Sequence, residues 1–82
     1  FAFGWSAMLL AHLTPDTAAC VVQVDLSAEA CQRLSAFGVV SGAVLRVERQ
    51  AALGGPLEIR IGTTHIMLRR STAEAITVEL PA

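Results

Sequence analysis

From Ala43 onward, hydrophobic and polar positions alternate along the chain. Ala43, Leu45 and Val47 interleave with Val44, Arg46 and Glu48, the period of a strand with one face buried. Leu53-Gly54-Gly55-Pro56 interrupts the run, and Leu57, Ile59 and Ile61 resume it against Glu58 and Arg60. Gly62-Thr63 is a Gly-X pair of the kind that makes a type II′ hairpin. A two-residue loop there sets Ile61 opposite Thr64, Arg60 opposite His65, Ile59 opposite Ile66 and Leu57 opposite Leu68. Apolar meets apolar and polar meets polar, and a slip of one residue destroys the match. Ile76, Val78 and Leu80 alternate with Thr77 and Glu79 as a last strand, ended by Pro81.

The first half of the chain carries a different period. Pro15-Asp16-Thr17 is turn chemistry and leads into a strand over Ala18 to Asp25. Ser27 is a good N-cap, Glu29 suits the first helical turn, and Ala30, Leu34 and Phe37 fall at i, i+4 and i+7. The spacing predicts a helix from Ala28 to Phe37, closed by Gly38, with Leu34 and Phe37 in the core. Ser71-Thr72-Ala73-Glu74 has capping-box spacing and predicts a single helical turn. The sum is a mainly β domain of about five strands, with one α-helix after the first strand and a short helical turn before the last. So many short strands avoid exposed edges best by curling into a small barrel. The expected interior is Ala43, Leu45, Val47, Leu57, Ile59, Ile66, Leu68, Ile76 and Val78. Residues 13–82 form this domain and residues 1–12 an apolar N-terminal extension, of which 1–7 are either added or upstream residues ahead of Met8, which could serve as a natural start.

Composition narrows the function. Of 82 residues, 54% are apolar before glycine is counted and 16% are charged. Typical domains have 45–50% with glycine and about 25% charged. Disorder is excluded, and a net charge of −1 leaves no basic footprint for nucleic acid. The longest uncharged run, Phe1 to Pro15, is broken by Gly4, Ser6, His12 and Thr14 and falls short of the ~20 residues of a membrane span. A domain this small buries only about 60% of its unfolded surface, so some apolar side chains must lie outside. That points to binding, and a two-fold homodimer is the simplest self-contact.

The chemistry on offer is sparse. Cys20 and Cys31 are expected as buried free thiols, one on a strand and one on the helix, which fits the cytoplasm. His12 and His65 are the only neutral-pH bases, neither with a nucleophile at a recognisable spacing, so no enzyme is expected. A tight metal site needs three or four converging ligands. Here His12 with Asp16, and His65 apart from them, offer a weakly bound divalent transition metal, iron or zinc, at most. Two surfaces suit a partner. Leu53, Gly54, Gly55 and Pro56 form either a plain hairpin connection or a contact loop, and an apolar Leu53 at the tip favours contact. Met8 and Leu9, with Phe3 and Trp5 before them, make either a docking arm or part of the barrel base. Leu10 and Leu13 fit the base.

This order of features resembles the FeoA family. The residues that carry the likeness are Arg33-Leu34, Phe37-Gly38 and Gly42, then Leu53-Gly54-Gly55-Pro56 running into Leu57-Glu58-Ile59. Leu68-Arg69-Arg70 follows, with Ala73, Ile76 and Val78, so the likeness extends from Leu13 to Leu80. Asp16-Thr17 and Val40-Ser41 depart from the family pattern at two turns. The resemblance implies an SH3-like barrel, found also as the C-terminal domain of iron-dependent repressors. It implies as well a cytoplasmic accessory protein of bacterial ferrous-iron uptake, peripheral at the inner membrane through its partner, the FeoB transporter. The alternative it leaves is a direct metal-binding or sensing module.

Overall fold

The computed structural model describes residues 7–80. Strands are β1 (Ala7–Leu9), β2 (Thr17–Val24), β3 (Val44–Gln50), β4 (Leu57–Ile61), β5 (Thr64–Leu68) and β6 (Ile76–Glu79). A 3-10 turn (Leu10–His12) follows β1, α1 (Ala28–Ser35) follows β2, and α2 (Arg70–Ala73) precedes β6. All strand pairs are antiparallel, in the order β1-β6-β2-β3-β4-β5. The register shifts between Val21 and Gln23 and between Val47 and Arg49, and irregularities of this kind bend a sheet and increase its twist. The sheet wraps around one core, with Val21, Leu45, Val47, Leu57, Ile59, Ile76 and Val78 inside. It stays open between its edge strands β1 and β5, so this is an SH3-like β domain without full closure.

The β4–β5 hairpin has the expected register, Leu57 with Leu68 through to Ile61 with Thr64. Gly62 sits at φ +61, and Thr63 is not among the positive-φ residues, which fits a turn with its left-handed residue first. Ser27 caps α1 through its side chain, accepting from the Ala30 N–H at 3.2 Å.

Several expectations change. Among the described residues there are six strands rather than about five. Ala7-Met8-Leu9 is too short to show a period, and it becomes a strand only by pairing with β6. Phe37 is exposed rather than core. The helix ends in a Schellman arrangement, in which Val39 N–H donates to Leu34 O at 3.1 Å and Gly38 N–H to Ser35 O at 3.0 Å. That motif brings the residue after the glycine back against the helix, so Val39 takes the buried place beside Leu34. Ala43 and Ile66 pack against the core while half-buried. Cys20 and Cys31 are free but half-buried, not buried. The α2 turn starts at Arg70 with Arg69 as its N-cap and no side-chain cap, so Ser71 lies inside it.

Candidate functional site

Between β3 and β4 the chain makes a compact loop over residues 51–56. Ala51 N–H donates to Pro56 O at 3.0 Å and Gly55 N–H to Ala52 O at 3.2 Å, so both ends of the loop are tied. A Cβ at Gly55 would lie 2.6 Å from the Ala51 Cβ, a distance no pair of carbons tolerates, which makes glycine a condition of this turn. Leu53 stands at the tip, fully exposed, with φ +59. Left-handed backbone costs an L-residue roughly 1–2 kcal/mol, and asparagine, aspartate and glycine bear it best. A leucine here therefore gains no burial and strains the backbone. Gly54 and Pro56 are exposed beside it, and Gly55 is half-buried.

The other expected contact residues lie elsewhere. Met8 is half-buried against the core on β1 opposite Val78, and Leu9 is half-buried opposite Thr77. Leu10 and Leu13 are buried, as a closing layer should be. Phe3 and Trp5 lie outside the described residues. Other exposed apolar side chains are Val22, Phe37, Val40, Val44 and Met67. A shallow apolar groove runs between α1 and the segment Val39–Ser41, with Val24 and Cys31 in its wall. The Cys31 thiol is 3.6 Å from Leu26 O and 3.8 Å from Val24 O.

The candidate metal ligands do not converge. His12 is exposed at the end of the 3-10 turn. Asp16 is exposed at φ +66, and its carbonyl accepts from Arg46 Nη1 at 2.8 Å. His65 is on β5 facing Arg60, with Nδ1 3.9 Å from Glu58 Oε2. Among the described residues, no three of His, Cys, Asp and Glu come together as a metal site. The outer face of β3 and β4 instead carries the pairs Arg49–Glu58 at 3.3 Å and Arg60–Glu48 at 3.6 Å. Exposed pairs of this kind contribute about 0–1 kcal/mol each.

Two further residues, Arg70 and Gln50, lie beneath the loop. Arg70 donates from Nη1 to Ala11 O at 3.3 Å and from Nη2 to Gln50 Oε1 at 3.5 Å. Gln50 Nε2 donates in turn to Leu13 O. Arg70 is marked only as the last residue of Leu68-Arg69-Arg70 and Gln50 not at all, and neither role shows in the sequence, because each residue lies at the end of its element and bonds to groups far away in sequence.

The FeoA domain family model matches residues 8–80. No curated protein matches the chain. Among solved structures, the FeoA protein of Chlorobium tepidum is 37% identical, with a TM-score of 0.85, over 92% of this chain and 71% of its own. FeoA of Stenotrophomonas maltophilia, a prokaryotic SH3 domain protein in complex with zinc, is 33% identical, with a TM-score of 0.71, over 87% of this chain and 88% of its own. A manganese-dependent transcriptional repressor shares the fold alone: 20% identity and a TM-score of 0.81 over 92% of this chain and 42% of the repressor.

Proposed function

The chain belongs to the FeoA domain family, and from that premise we propose that it is an accessory protein-binding module of bacterial ferrous-iron uptake, acting on the cytoplasmic side of a FeoB-type membrane transporter. The observation that carries this reading is Leu53, fully exposed on left-handed backbone at the tip of a tied loop. Folding has no use for a leucine there, whereas a partner with an apolar pocket does. The module acts by binding one conformation of the transporter better than another, which is the only way a ligand shifts a conformational equilibrium. Among the described residues, no helix is long and apolar enough to cross a membrane. A homodimer through the exposed apolar side chains would compete with transporter docking wherever the two surfaces overlap. Calorimetric titration of the chain into the cytoplasmic domain of a FeoB-type transporter tests the reading. Saturable heat at one-to-one stoichiometry is expected, and its absence up to millimolar concentration contradicts it.

Direct metal binding is a second reading, favoured by the zinc complex of the Stenotrophomonas maltophilia relative. Among the described residues, His12, Asp16 and His65 do not come together as a three-ligand site, and on this reading a zinc or ferrous ion would be held weakly. Sub-micromolar zinc affinity that is lost in His12→Ala or His65→Ala would make metal the primary ligand.

A further inference from the structure

Arg70 opens α2 between two exposed residues, Arg69 and Ser71, yet it is itself half-buried, and its Nε is buried without a hydrogen-bond partner. None of the ion pairs among the described residues includes it. Its charge is met by neutral oxygens instead: the carbonyl of Ala11 in the 3-10 turn and the amide of Gln50 at the end of β3. Gln50 passes the link on to the carbonyl of Leu13. One guanidinium thus joins α2, the segment after β1 and the residue from which the Leu53 loop departs. The loop also passes close to it, since a Cβ added at Gly54 would come into van der Waals contact with Arg70, 3.7 Å from Cδ and 3.9 Å from Nε.

As a means of stabilising the fold this is a poor arrangement. A half-buried cation with no carboxylate partner, and with one buried N–H unsatisfied, is unfavourable where methionine would fill similar space without that cost. What arginine adds is a planar fork that reaches two acceptors on different segments at once. We propose that Arg70 is the positioning residue of the docking loop, fixing the 3-10 turn and the end of β3 under Gly54 so that Leu53 is presented in one orientation. The proposal rests on the reading of the loop as the docking surface.

Amide hydrogen exchange on the full chain tests it without any partner. The readout is the exchange rate at Ala51 and Gly55, whose N–H groups tie the loop, divided by the rate at Val47 and Ile59 in the core. A general loss of stability raises the core rates at least as much as the loop rates, since loop amides exchange through local openings, and so it cannot raise the ratio. In Arg70→Met the ratio should rise on the order of tenfold. Arg70→Lys, which keeps the charge but lacks the planar fork, should raise it less, and it keeps the test readable if the methionine variant folds poorly. An unchanged or lower ratio in both variants overturns the proposal. Transporter titration then separates the two readings. Arg70→Met should weaken binding of the natural chain and have no further effect in a Leu53→Asn background. A loop that loosens while transporter affinity stays constant leaves Arg70 as the loop's positioning residue and refutes the docking surface.

Discussion

Leu10→Ala destabilises the domain by about 2–5 kcal/mol, the range for a large aliphatic side chain cut back in a packed core. Leu10 is completely buried, and Ala11 and Leu13 beside it are nearly so. The 3-10 turn that carries Leu10 packs against β6 and α2, and β1 just before it pairs with β6 along Ala7–Leu9. An N-terminal segment of this kind is a wall of the core and not an appendage. Urea denaturation of the full chain checks it: the midpoint should fall as far as it does for Ile59→Ala at the centre of the sheet. A loss below about 0.5 kcal/mol, typical of surface positions, would detach the segment from the core.

Leu53→Asn is expected to separate stability from binding. Asparagine tolerates the left-handed backbone that strains leucine, and no buried contact is lost, so stability should hold or rise by up to about 1 kcal/mol. Affinity for the cytoplasmic domain of a FeoB-type transporter should meanwhile fall by about thirtyfold or more, the roughly 2 kcal/mol that defines a central interface contact. A variant that is more stable and binds equally well would leave Leu53 without the role assigned to it.

Much of this fold is legible where two local signals coincide. The β4–β5 register was fixed twice, once by the Gly62-Thr63 turn and once by alternation on both sides, and each pairing appears as expected. The start of α1 was marked by Ser27 and its end by Gly38, and both marks are met in the structure. Where one signal acts alone it misleads. Phe37 continues the helical period on paper, but the glycine that ends the helix also redirects the chain, and Val39 enters the core in its place. Ser71 and Glu74 have capping spacing, yet the turn begins at Arg70, whose guanidinium is bonded to Ala11 and Gln50. Strand β1 gives no signal because three consecutive apolar residues have no period, and only pairing with distant β6 makes them a strand. The Leu53 loop is visible in sequence as a composition break, and its exposed tip follows from that. Its support is not visible, since Arg70, Gln50 and Ala11 meet only once the sheet has curled.

The most direct test of the docking surface is to follow the backbone amide resonances of the chain while the cytoplasmic domain of a FeoB-type transporter is added. The account predicts saturable shift changes concentrated on residues 51–57 and around Arg70, and their loss in Leu53→Asn. Saturable changes confined to another face, such as the groove between α1 and Val39–Ser41, would contradict it, as would no change at all.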